Sequence, residues 1–162
     1  MGVRARSRAS ETDAQDSTFY LAETPAECNR QEQQRLHTLP ELRCTFGGRS
    51  VVPDVAVIAW EQIQIDEVGE PEDNFIKAPD WTIEILSPDQ RATRVIDNIL
   101  HCLQHGCKLG WMLDPDDYSI LVFAPHQEPE VCRGDRQLLV IDGINLALTP
   151  NQVFTWLKIG KR

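Results

Sequence analysis

Two carboxylates stand out because of where they fall in the sequence. Asp54 opens the run Asp54-Val55-Ala56-Val57-Ile58-Ala59-Trp60, whose other residues are all apolar. Glu84 is the one charged residue in Trp81-Thr82-Ile83-Glu84-Ile85-Leu86. Both runs are rich in β-branched and aromatic residues and read as buried strands. A carboxylate in a core strand is costly unless it is paired or binds a cation. If the strands are neighbours, the two acids converge at one end of a sheet and form an oxygen site suited to Mg²⁺ or Mn²⁺. Such an ion activates water and offsets charge on a phosphate. The plainer alternative is that Asp54 caps an entry turn and Glu84 faces solvent at a sheet edge.

A helix is expected from Ala92 to His105, with Val95, Ile99 and Cys102 inward at helical spacing and Gly106 ending it. Beside that face runs a second stripe, Arg94, Asn98, His101 and His105, which could look along the sheet toward Glu84. His101 and His105 also make a His-x-x-x-His pair, but no glutamate follows the first histidine as in zinc proteases. Half-buried packing histidines are the ordinary alternative.

The elements that must hold these groups are legible from residue 39 onward. Leu42–Phe46 alternates like a half-buried strand and stops at Gly47-Gly48. Further strands are expected at 109–113, 119–123 and 137–140. A last helix runs from Thr149-Pro150 to about Lys158, with Val153, Phe154 and Leu157 inward. The pattern predicts an α/β (α+β) domain with a mixed sheet over residues 39–162. Residues 1–38 are weakly patterned, apart from a short polar helix expected over Ala26–Leu36 behind a Thr24 cap. Residues 61–80 read as a solvated acidic loop, with a metal-binding or protein-docking loop as the sharper alternative, for which no ligand spacing is present.

Composition limits the partners. The 162 residues carry a net charge of −9. Residues 1–50 hold seven basic and seven acidic side chains, so the excess falls in residues 51–162. A protein that binds DNA through phosphates usually presents a basic face, so either a local basic face is hidden in an acidic total or nucleic acid is not the partner. The five scattered cysteines argue against a disulfide framework and for reduced packing thiols. No apolar run approaches the ~20 residues of a membrane span. Met1–Ser10 lacks the apolar segment of a secretory signal, so a cytoplasmic location is expected.

In order and spacing, Pro53-Asp54-Val55-Ala56-Val57, Glu84-Ile85-Leu86-Ser87-Pro88-Asp89, His105-Gly106 and Trp111-Met112-Leu113-Asp114-Pro115 resemble the Uma-two family. The stretch from Glu41 to Ser50 is similar to one branch of it. The family is of restriction-endonuclease type, within the PD-(D/E)XK nuclease superfamily. The resemblance implies a restriction-endonuclease-like mixed central sheet flanked by helices, and Mg²⁺-dependent (or Mn²⁺-dependent) hydrolysis of DNA. It makes Asp54 and Glu84 the metal ligands. Two departures stand out. Leu86 occupies the place, two residues after the glutamate, where the superfamily often has lysine. In this family that lysine lies on the following helix, and Asn98 stands there. Asparagine brings no positive charge, and Arg94, one turn earlier, is the residue that could replace it as a phosphate clamp. The resemblance also implies a helical region and hairpin before Glu41, so the domain is expected to be truncated at its N-terminus. A catalytically degenerate module that binds DNA or protein is the alternative to a nuclease, and an imidazole metal site at His101 and His105 is a third. A homodimer is expected of a nuclease that cuts both strands.

Overall fold

The computed structural model describes residues 36–70, 72 and 74–159. The short helix expected from Ala26 lies outside this range except for its last residue, Leu36. That residue starts strand β1 (Leu36–Pro40), so the expected boundary at 38/39 falls inside a strand. Then follow β2 (Arg43–Phe46), β3 (Arg49–Val51), β4 (Val55–Ala59), a 3-10 turn (Trp60–Gln62), β5 (Asn74–Phe75) and β6 (Trp81–Ile85). The chain continues through α1 (Ala92–Gln104), β7 (Leu109–Asp114), β8 (Ser119–Phe123), β9 (Glu130–Arg133) and α2 (Pro150–Ile159).

Six strands form one mixed sheet in the order β1-β4-β6-β7-β8-β9. β4 is buried along its whole length, as its unbroken apolar sequence requires. β6 and β7 are parallel neighbours joined through α1, and the other pairs are antiparallel. One face, built on Val55, Ile83, Trp111 and Ile120, is closed by Leu138, Leu148, Val153 and Phe154. The opposite face carries α1 through Val95 and Ile99. It also carries a small sheet, β3-β2-β5, through Cys44, Val51 and Phe75. α1 comes so close that a Cβ on Gly110 would stand 2.4 Å from Ile99 Cγ2, which explains glycine in the middle of a buried strand.

Two expectations need correction. Gln137–Val140 is not a strand. The place beside β8 belongs to Glu130–Arg133. An edge strand needs few inward residues, and Cys132 alone is buried in β9. The backbone at 137–140 finds other partners: Leu138 N–H donates to Leu148 O (2.8 Å), and Leu139 O accepts the Trp111 indole N–H (3.1 Å). Its apolar residues cover the sheet instead of extending it.

The second correction is Asp80, read above as part of a solvated loop. It is buried at the start of β6. Its Oδ2 accepts the Ala59 N–H at 2.8 Å, and its Oδ1 lies 3.3 Å from Lys108 Nζ. One carboxylate thus ties together the ends of β4 and β6 and the entry to β7. Asp80→Ala leaves a buried amide without an acceptor, and the expected loss is about 2–3 kcal/mol in urea unfolding. A loss within 0.5 kcal/mol would show the pairing to be decorative.

The described cysteines, Cys44, Cys102, Cys107 and Cys132, are buried free thiols. Burial pushes Cys44 and Cys107 up to about 12, so they pack as small apolar groups and stay unreactive. Cys28 lies outside the described residues.

Candidate active site

The antiparallel register pairs Val55 with Ile83. One step further along it, Asp54 stands opposite Glu84. The sequence put both acids at strand ends, and the pairing of β4 with β6 makes them neighbours. Glu84 sits across from Met112 of β7, which packs under α1 with Val95 and Ile99. The acid pair therefore belongs to the end of the sheet from which α1 departs.

Asp54 is half-buried, and its Oδ2 accepts the Ile85 N–H at 2.6 Å. Burial raises its carboxyl above the ordinary range, the Ile85 amide works against that rise, and the charge of Glu41 adds to it. Glu84 is only 8% exposed. Burial, and then the charge of Asp54, push it up to about 8, while the Asp54 backbone amide opposes the shift. Two desolvated carboxylates that resist sharing negative charge are what a cation, or a retained proton, would relieve.

Glu41 was not singled out from sequence. Its backbone holds φ at 49°, a conformation uncommon for residues other than glycine, and its N–H donates to Asp54 O at 3.2 Å. The signal available was its place directly after Pro40, at a strand end. Among the described residues no group of three His, Cys, Asp or Glu side chains assembles a metal site.

The four-residue stripe on α1 divides. Arg94 is exposed and Asn98 half-buried on the N-terminal half of the helix, near the Glu84 end. His101 and His105 turn to the β2–β3 hairpin. The His101 ring stacks on Phe46 at 4.8 Å, and its Nε2 is 3.1 Å from Phe46 O. His105 Nδ1 is 2.8 Å from His101 O. Gly47, at φ 56°, lies so close that a Cβ there would meet His105 Nε2 at 2.2 Å. Arg49 Nη1 adds a 2.8 Å bond to Asp97 Oδ2 and Nη2 a 3.1 Å bond to Asp97 O. The histidines are thus packing groups that seat the hairpin on α1.

Beyond Glu84 the loop Leu86–Gln90 and the turn Asp114–Asp117 border a depression of about 350 Å³. Asp114 is a turn residue: its Oδ1 accepts the Asp116 and Asp117 N–H groups.

A mixed sheet with a crossover helix and an acid pair at its end is the arrangement of nuclease-like α+β domains. Residues 7–151 match the Uma-two family, described as "Putative restriction endonuclease", and the chain belongs to that family. The match begins well ahead of Glu41. The chain is also similar to the crystal structure of a putative nuclease belonging to DUF820 from Anabaena variabilis. The two are 39% identical, with a TM-score of 0.78, over 91% of this chain and 83% of that one. No curated protein matches. No helix among the described residues is long and apolar enough to cross a membrane.

Proposed function

We propose that this protein is a DNA endonuclease that hydrolyses phosphodiester bonds with Mg²⁺ or Mn²⁺ held by Asp54 and Glu84. The observation that carries the reading is Glu84, buried opposite Asp54 and held up at about 8 by burial and by that neighbour. The donor set fits a hard divalent cation: it is all oxygen, and Mg²⁺ commonly takes one or two carboxylates while keeping water and phosphate oxygens in its other positions. Bound there, the ion would supply a nucleophilic water at neutral pH and offset charge on the phosphate.

The chain's own residues have distinct tasks. The Ile85 amide fixes the Asp54 carboxylate. The apolar packing around Met112 excludes water from one side of Glu84. Asn98 can orient a water or a phosphate oxygen through its amide, and exposed Arg94 can contact a phosphate as a clamp. Asp89, Asp114, Asp116 and Asp117 belong to the same end of the sheet, so DNA affinity has to come from the cation together with Arg91 and Arg94. DNA binding is therefore expected to disappear in EDTA.

Asn98 supports a second reading, in which the module binds DNA or protein without cutting. Nicking of supercoiled plasmid with Mg²⁺ or Mn²⁺ separates the two, comparing the wild type with identically purified Asp54→Ala. Nicking by the wild type and a loss of at least ~10³-fold in the variant supports the nuclease. A folded, Mn²⁺-binding wild type that leaves the plasmid intact favours the non-cutting module. Equal cutting by both proteins removes Asp54 from the chemistry.

A further inference from the structure

The register of the large sheet places a third acid beside the Asp54–Glu84 pair. Leu39 of β1 stands beside Ala56 of β4, Ala56 beside Thr82 of β6, and Thr82 beside Gly110 of β7. Two residues nearer the end from which α1 departs comes the row Glu41, Asp54, Glu84 and Met112. Residues two apart share a face of a sheet, so this row continues the face on which Leu39 and Ala56 pack. Glu41 lies one residue past β1, and its N–H still donates to Asp54 O at 3.2 Å. Its charge reaches the Asp54 carboxyl and raises it. Exposure grades along the row: Glu84 is buried, Asp54 half-buried and Glu41 exposed.

Three neighbouring carboxylates repel one another unless something positive stands among them. The ion pairs among the described residues join Arg49 to Asp97, Lys108 to Asp80, Arg133 to Asp117 and Arg136 to Glu130, and none of them reaches this row. The Glu41 φ of 49° is a conformation that glycine would hold without strain, yet a glutamate stands there. Among the described residues no three acidic side chains close on one point as direct ligands. A hard divalent cation on two carboxylates keeps several waters. A hydrated acid at the wet end of the row is placed to accept a hydrogen bond from one of them.

We propose that Glu41 is the third carboxylate of the cation site, acting through a water in the shell of the cation and not as a direct ligand. This role rests on the cation reading of Asp54 and Glu84 given above. Glu41 is then a positioning residue: its carboxylate adds attraction for the cation and fixes the orientation of one bound water.

Calorimetric titration of the full chain with Mn²⁺ alone, at pH 8 and without DNA, tests this role. Glu41→Gln should weaken binding about tenfold with the stoichiometry unchanged. Glu41→Asp should recover most of that loss, because the charge returns. Glu41→Gly relieves the left-handed backbone, so it should melt above the wild type in EDTA and still bind Mn²⁺ as weakly as Glu41→Gln. A merely structural role would move stability and affinity together. Broadening of the Mn²⁺ electron paramagnetic resonance lines in oxygen-17-labelled water counts the waters on the bound ion, and the count should be the same in wild type and Glu41→Gln. One more water in the variant would make Glu41 a direct ligand and overturn the assignment, as would wild-type affinity in Glu41→Gln. Either result presupposes a wild type that binds Mn²⁺ and an Asp54→Ala variant that does not. A wild type that binds none, or an Asp54→Ala variant that binds as well as the wild type, removes the Asp54–Glu84 site itself and the role of Glu41 with it.

Discussion

Glu84→Gln is expected to melt at a higher temperature than the wild type in EDTA at pH 8, and to lose Mn²⁺ binding and plasmid nicking together. The amide keeps the shape and removes the charge that burial and Asp54 make costly. The sign follows from linkage. The folded carboxyl titrates at about 8, above its ordinary value, so the folded protein holds a proton that the unfolded chain releases. That contribution is fully present below the ordinary glutamate range and is lost as pH rises toward about 8. Metal-free wild type should therefore lose stability over this window, and the variant should not. A cation has to displace the same proton, so wild-type Mn²⁺ affinity should fall about tenfold per pH unit below that point. Calorimetric titration at pH 6, 7 and 8 reads the slope. A flat profile, or a variant that still binds Mn²⁺ with wild-type affinity, would remove Glu84 from the ligand set.

Asn98→Lys is expected to raise the nicking rate by about 10²-fold with little change in Mn²⁺ affinity. A positive charge beside a phosphate that gains charge is worth roughly 2–4 kcal/mol in a partly dry site. The position can accept the change: Asn98 is half-buried, and its side chain makes no hydrogen bond with a described residue. Its neighbour Asp97 is committed to Arg49 in the direction of the hairpin. Arg94→Gln on the wild-type background should lower the rate, and Asn98→Lys should make that loss smaller. If Asn98→Lys binds Mn²⁺ and DNA normally yet cuts no faster than wild type, the missing charge does not limit this protein. If both are inert, the non-cutting module is the better account.

Local pattern was enough for most elements that carry the site. The apolar run after Asp54, the lone charge in Trp81–Leu86 and the Val95-Ile99-Cys102 spacing each depend on residues a few positions apart. β4, β6 and α1 accordingly lie within a residue or so of expectation. Distant pairing was not legible. β1 has mixed, half-buried residues and becomes a strand because β4 offers it an edge. Glu130–Arg133 takes the place beside β8 ahead of the more apolar Gln137–Val140, because an edge strand is chosen by reach and backbone pairing more than by hydrophobicity. His101 and His105 share a stripe with Arg94 and Asn98, yet the hairpin claims them. Asp80 looked like one more loop acid until Ala59 and Lys108 closed on it. Residue identity and short-range spacing therefore singled out Asp54 and Glu84 as carboxylates in apolar runs and marked β4, β6 and α1 as strands and helix. Only the folded chain decided that Asp54 and Glu84 face each other, because strand register is a contact between segments about thirty residues apart, and no local periodicity encodes it.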